Sequence, residues 1–237
     1  MVSIFSSKEE ITAHAANIFV AAAQNAIQKR GRFLVALTGG SSPISIYKLL
    51  ATPQYKAKID WKNVFVFWGD ERWVPLDDER SNAKMSSDSM LNHVGIPKSN
   101  LFPMYKHGFS PEEYALKYEK LIKSHTGEHG QFDLILLGMG DDGHTASLFP
   151  GETVLNENNK WVSAYYLESQ SMYRITLTAP FINRAKEIVV ITFGESKAHA
   201  LNEVLYGDYN PEKYPTQLIK PLDGKLLFLT DQAAINR

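Results

Sequence analysis

Short apolar runs alternate along the chain with longer segments in which apolar residues recur at helical spacing. The runs have the length of buried strands, and we predict strands at 32–38, 64–68, 133–137, 161–166, 173–178, 187–193 and 225–229. Helical spacing predicts helices at 7–30, 43–50, 81–92 and 111–124, and a last one that ends near residue 205. This alternation predicts an α/β fold of three layers, in which a mainly parallel sheet has helices on both faces.

The composition narrows the class of protein. The chain has 237 residues, 25 Lys and Arg against 26 Asp and Glu, and no Cys. The near-zero net charge argues against a nucleic-acid partner, and the lack of Cys excludes disulfides and Cys-ligated zinc. We see no secretory leader and no apolar stretch of ~20 residues. We therefore expect a cytoplasmic protein without membrane contact, with a single domain over residues 1–237 and a monomeric state favoured.

A glycine-rich turn follows the first predicted strand. It consists of Gly39, Gly40, Ser41 and Ser42, with Ser42 suited to the N-cap of the next helix and Pro43 to its first position. Free N–H groups and the helix dipole at such a turn favour an anion such as a phosphate. An ordinary capped turn between a strand and a helix is the alternative.

Two cationic residues follow other predicted strands. The guanidinium of Arg72 offers a planar set of donors to a phosphate, although an ion pair with Asp70 or Glu71 would explain it equally. Lys197 falls in the first turn of the last predicted helix, where a cation is unfavourable unless an anion lies nearby. A plain surface lysine is the alternative there.

The central stretch GMGDDGHTASLFPG, at residues 138–151, directly follows the strand at 133–137. It formally matches the dinucleotide pattern G-x-G-x-x-G, but two of its carboxylates would face a pyrophosphate, and we reject that interpretation. A metal site from Asp141, Asp142 and His144 is conceivable, but no second cluster in the sequence completes its ligand sphere.

General acid–base catalysis is the third interpretation of this stretch. Asp142 and His144 are separated by one glycine, so that a carboxylate oxygen can hold one ring nitrogen and raise the basicity of the other. Such a histidine can take a proton from water near pH 7. A capping Asp beside a structural His is the alternative, and these residues alone leave both open.

The same stretch resembles the signature loop of the 6-phosphogluconolactonases. Four more segments resemble motifs of that family in the same order, namely TGGSSP at 38–43, WGDER at 68–72 with VP and SN after it, RITLT at 174–178 and GESKA at 194–198. Two features depart from the family pattern. Residues 168–173 lack the prolines that often precede the RITLT strand, and the last strand lacks a tryptophan that is often found there.

The resemblance implies a fold shared with glucosamine-6-phosphate deaminases and ribose-5-phosphate isomerases. It implies hydrolysis of the small molecule 6-phospho-D-glucono-1,5-lactone to 6-phosphogluconate, in the oxidative pentose phosphate pathway, without a metal or other cofactor. It also implies the site residues, which are His144 as the base, Asp142 beside it, a phosphate site of Arg72, Lys197, Gly39, Gly40, Ser41 and Ser42, and further substrate contacts by Asp70, Gly140 and Arg174.

Two other functions fit parts of this pattern. The related deaminases resemble the chain, but they have a glutamate five residues after the histidine, where this chain has Phe149. A deaminase would therefore lose a member of its proton relay here. A non-catalytic sugar-phosphate sensor would need the anion pocket but no general base, and would usually carry a partner domain.

Overall fold

Nine strands form two sheets in the computed structural model, which describes residues 1–235. They are β1 (Val2–Phe5), β2 (Phe33–Leu37), β3 (Val64–Trp68), β4 (Asp70–Arg72), β5 (Leu134–Gly138), β6 (Val162–Leu167), β7 (Met172–Leu177), β8 (Glu187–Ile191) and β9 (Lys225–Asp231). The last two residues of the domain predicted over 1–237 lie outside the described residues.

The main sheet is parallel, as the alternation of strands and helices predicts. Its order is β1–β9–β8–β5–β2–β3, and every residue of β2 is buried, so that both faces of the sheet are covered. The helices are α1 (Lys8–Arg30), α2 (Ile44–Leu50), α3 (Pro53–Lys56), α4 (Asn82–Ser89), α5 (Pro111–Thr126), α6 (Ala179–Ile182), α7 (Ala198–Tyr206) and α8 (Gln232–Ile235). None of the helices within residues 1–235 combines the length and apolar character that a bilayer crossing requires.

A second, antiparallel sheet contains β4, β7 and β6 in that order, and the sequence pattern does not predict it as a separate sheet. The strand β4 follows β3 after Gly69 alone, so the chain passes here from the main sheet into the second one. The carbonyl of Gly69 accepts a hydrogen bond from the N–H of Leu177 at 2.8 Å, which joins the two sheets. The carboxyl end of β3 in the main sheet therefore has the second sheet beside it.

The predicted cap at Ser42 is wrong. The helix α2 begins at Ile44, and the N-cap position is occupied by Pro43, whose carbonyl accepts from the N–H of Tyr47 at 2.9 Å. Ser42 therefore precedes the cap position, and no side chain caps this helix. Because α2 has only seven residues, its dipole contributes less to an anion site than the sequence suggests.

Candidate active site

A cavity of about 220 Å³ lies where β2, β3 and β5 of the main sheet end. In open α/β sheets, ligands bind in crevices at such strand ends. The predicted site residues that line it are Gly39, Gly40, Ser41, Ser42, Asp70, Arg72, Gly140, His144 and Lys197. Its lining also includes six residues that were not predicted as site residues, namely Thr38, Asn82, Gly138, Met139, Asp141 and Ala146.

The side chains of Asp142 and His144 form a hydrogen-bonded pair at this cavity. Nδ1 of His144 lies 2.5 Å from Oδ1 of Asp142, and the same oxygen accepts from the backbone N–H of His144 at 3.0 Å. Partial burial alone would raise the pKa of Asp142, but these hydrogen bonds outweigh it and lower that pKa. The ionised carboxylate therefore holds the proton on Nδ1, which leaves Nε2 free to accept another.

Gly140 makes room for this pair. A Cβ atom at this position would lie 2.1 Å from Nδ1 of His144 and 2.5 Å from Oδ1 of Asp142. No side chain fits at such distances, so Gly140 is required by close approach. The imidazole of His144 also stacks on the ring of Phe149, with the two ring centroids 4.1 Å apart.

Backbone hydrogen bonds fix the loop that carries His144. The N–H of Gly140 donates to the carbonyl of His144 at 2.8 Å, and that of Gly143 donates to the carbonyl of Gly140 at 3.2 Å. The N–H and hydroxyl of Thr216 both donate to the carbonyl of Gly143, at 3.0 and 2.8 Å. The N–H groups of Gly140, Gly143 and His144 are thus engaged within the loop and are not available to a bound oxyanion.

Arg72 and Lys197 bring positive charge to the same cavity from different elements. Arg72 ends β4. Its guanidinium donates a hydrogen bond to the backbone carbonyl of Arg80 at 2.8 Å, and this acceptor carries no charge. Lys197 precedes α7, and its Nζ lies 3.9 Å from Oδ1 of Asp141. The two cations make the cavity suited to an anion.

The amide of Asn82 connects the glycine-rich turn to Asp70. It donates to the carbonyl of Asp70 at 3.0 Å, and a Cβ atom at Gly39 would lie 1.9 Å from its Oδ1. Asp70 itself is 7% exposed and accepts from the hydroxyl of Ser147 at 2.6 Å. Gly39 therefore allows the turn to pack directly against the start of α4.

Glu71 is fully buried behind this contact. Its carboxylate accepts from the N–H groups of Arg72, Asn82 and Ala83 at 2.8, 2.7 and 2.8 Å, and from the hydroxyl of Ser81 at 3.0 Å. Burial raises the pKa of Glu71 to about 7, against these four donors, which favour its ionised form. The carboxylate thereby fastens the N-terminus of α4 to β4.

Arg174 does not line the cavity, unlike the other predicted substrate contacts Asp70 and Gly140. It lies opposite Arg72 in the β4–β7 pair, and its guanidinium donates to the side-chain oxygen of Gln170 and to Sδ of Met172. Its side chain is buried, and burial and the charge of Arg72 lower the pKa of Arg174. Arg174 is therefore a buried residue of the second sheet and not part of the cavity lining.

No cluster of three or more His, Cys, Asp or Glu residues with metal-binding geometry occurs between residues 1 and 235. Asp142 already accepts two hydrogen bonds from His144 with one oxygen.

A family model described as glucosamine-6-phosphate isomerases/6-phosphogluconolactonase matches residues 6–228. The chain belongs to this family. Among its relatives, a 6-phosphogluconolactonase of Synechocystis sp. is 40% identical over 213 residues, which cover 88% of this chain and 86% of the relative.

Solved structures of the family have the same fold. The structure of 6-phosphogluconolactonase from Trypanosoma brucei superposes with a TM-score of 0.86 at 26% identity, covering 99% of this chain and 97% of that one. A monomeric glucosamine-6-phosphate deaminase, 22% identical, superposes with a TM-score of 0.84 over 98% of each chain, which shows the shared fold. The fold shared with glucosamine-6-phosphate deaminases, which the sequence motifs imply, is thus confirmed.

In this member of the glucosamine-6-phosphate isomerase/6-phosphogluconolactonase family, Asn82 lines the cavity and the buried Glu71 holds the start of α4 behind it, and neither was predicted as a site residue. Both belong to segments that the motif comparison includes, WGDER and the SN after it. Their roles depend on how α4 packs against β4, which no local pattern reveals.

Proposed function

We propose that this protein hydrolyses 6-phospho-D-glucono-1,5-lactone to 6-phosphogluconate, in the oxidative pentose phosphate pathway, and that His144 is its general base. One observation carries the proposal. A histidine held by a carboxylate at 2.5 Å lines the same cavity as two cations, Arg72 and Lys197. The family membership and the names of the relatives support the substrate.

The cations fix the substrate by its phosphate. Arg72, Lys197 and the turn at residues 39–42 bind the phosphate, at roughly 1.5–3 kcal/mol for each charged hydrogen bond. This places C1 of the lactone ring near Nε2 of His144. Asp70 lines the cavity between these groups and can accept from a sugar hydroxyl.

The chemical step is the addition of water to an ester carbonyl. His144 takes a proton from a water molecule as the water oxygen bonds to C1. The bond between C1 and the ring oxygen is still intact at this stage. The tetrahedral intermediate then collapses, and the imidazolium gives its proton to the leaving ring oxygen as that C–O bond breaks. The product is an open-chain acid, which loses a proton to solvent. General base catalysis of this kind supplies about 10²–10⁴-fold, which suits a lactone that also opens in water.

A coupled assay tests the proposal directly. Freshly made 6-phosphogluconolactone should be hydrolysed well above its spontaneous rate, and glucosamine 6-phosphate should give no ammonia or fructose 6-phosphate. His144→Ala should lower kcat by about 10²–10⁴-fold and change KM little. Turnover of glucosamine 6-phosphate would favour the deaminase, and binding of sugar phosphates without turnover would favour the sensor.

We further propose that the protein works as a monomer in the cytoplasm, as one domain, and without a nucleic-acid partner. The balance of 25 basic and 26 acidic residues supports the last point. Light scattering coupled to size-exclusion chromatography tests the monomer, and a mass near twice 26.7 kDa would contradict it.

A further inference from the structure

Lys197 already has an anionic neighbour in the cavity. Its Nζ lies 3.9 Å from Oδ1 of Asp141, beyond hydrogen-bond distance. The side chain of Asp141 is 74% exposed and that of Lys197 is 23% exposed, so water screens this ion pair. Such a pair is weak, and Lys197 can leave it for a better acceptor.

The backbone on both sides of Asp141 is fixed. Gly140 donates to the carbonyl of His144, and Asp142 holds the imidazole of His144. At position 141, the side chain rather than the backbone is therefore the part that can move when a ligand enters. Its carboxylate stays within a few ångströms of any phosphate that Lys197 binds, because both side chains line the same cavity.

The other cation of the cavity has no such neighbour. Within residues 1–235, the ion pairs include none to the guanidinium of Arg72, whose hydrogen bond goes to a backbone carbonyl. Among the described residues, Arg72 thus has no ion pair for a ligand to break, whereas Lys197 has the pair with Asp141. The two cations differ in what a phosphate must displace.

We propose that Asp141 competes with the phosphate of bound ligands for Lys197 and so limits their affinity and speeds product release. The inference rests on the proposed phosphate site. A phosphate that binds Lys197 must displace Asp141 and then lies beside its negative charge. The repulsion between Asp141 and the bound ligand is larger for the product than for the substrate, because hydrolysis turns a neutral ester into a carboxylate and adds one negative charge.

The first test replaces the charge and keeps the size. Asp141→Asn should bind inorganic phosphate and 6-phosphogluconate about two- to ten-fold more tightly by calorimetry at low ionic strength. The gain should be larger for 6-phosphogluconate than for phosphate and should shrink in high salt. Product inhibition should strengthen by the same factor.

Asp223→Asn is the matched control. It removes the same charge from an exposed residue just before β9, at the opposite ends of the strands from the cavity, and should leave both affinities unchanged. If Asp223→Asn tightens binding as much as Asp141→Asn, the effect comes from net charge and the inference is wrong.

A double-variant cycle separates this inference from the proposed phosphate site. Lys197→Met should weaken phosphate binding, and in its background Asp141→Asn should gain much less than in the wild type. If Lys197→Met leaves phosphate binding unchanged, the phosphate site itself is wrong. If it weakens binding while Asp141→Asn alone gives no gain, the site stands and the competition by Asp141 is overturned.

Discussion

The imidazole of His144 lies stacked on the ring of Phe149, at an angle of 23° between their planes. The carboxylate of Asp142 fixes the ring at one edge, and this stack fixes its plane. By the sequence resemblance, Phe149 stands where the related deaminases carry a glutamate, and here the position supports the imidazole of His144 by packing.

Replacing Phe149 by Leu should therefore lower kcat about two- to ten-fold, since stacked aromatic pairs contribute roughly 0.5–1.5 kcal/mol. KM should change little because Phe149 is only 9% exposed and does not line the cavity. Steady-state kinetics check this, with Phe149→Tyr as a control that keeps the ring. A large rise in KM with normal kcat would place Phe149 in substrate binding instead.

Gly140→Ala should lower kcat by about 10²-fold or more with a well-folded protein, because the new Cβ would displace the imidazole from its place 2.1 Å away. Gly69→Ala is the matched control. A Cβ atom at Gly69 would lie 3.6 Å from its nearest neighbour, which is an ordinary contact. The activity of Gly69→Ala should therefore stay near that of the wild type. Equal losses in both variants would show a general effect on folding.

Arg72→Ala should raise KM for the phosphorylated lactone about 10- to 100-fold and change kcat less, since the proposed role of the guanidinium is to bind the phosphate, which does not react. The KM of Arg72→Lys should lie between that of the wild type and that of Arg72→Ala, because lysine keeps the charge and lacks the planar set of donors. The check is to repeat the kinetics with gluconolactone that lacks the phosphate. Equal losses for both lactones would remove Arg72 from the phosphate site.

Glu71 should make stability depend on pH. Its pKa rises on folding from about 4.5 to about 7, so between these values the folded protein holds a proton that the unfolded chain has released. The free energy of unfolding should then fall as pH rises through this window, by roughly 3 kcal/mol at most. Urea unfolding at several pH values, with Glu71→Gln as reference, measures the slope. A constant difference between the two proteins would contradict the raised pKa.

Exhaustive treatment with EDTA should leave kcat and KM unchanged. The reason is that the proposed base needs only the carboxylate of Asp142, whose Oδ1 is engaged with His144. Loss of activity that returns on adding a divalent cation would revive the metal interpretation of Asp141, Asp142 and His144.

The sequence predicts those parts of the fold that depend on local pattern. The main-sheet strands from β2 onward are apolar runs, and α1 ends where Gly31 adopts a left-handed conformation with φ of 72°. The strand β4 reads as a loop because its three residues are charged, and it forms only by pairing with β7, about a hundred residues later.

The same limit applies to the site. The Asp142–His144 pair is local, and its spacing of one glycine indicates that the two side chains can bond, although the spacing alone leaves a structural histidine open. The guanidinium of Arg174 hydrogen-bonds Gln170 and Met172 and does not line the cavity, which the RITLT motif does not indicate. Asn82 reaches the cavity only because Glu71 holds the start of α4 against β4.

Positions 140 and 141 are neighbours with opposite tolerance for change. At 140 even a methyl group collides with the imidazole, whereas the side chain at 141 extends into water and is 74% exposed. Position 141 can therefore vary in evolution without disturbing the hydrogen bond between Asp142 and His144. Position 140, by contrast, is restricted to glycine as long as this pair is kept.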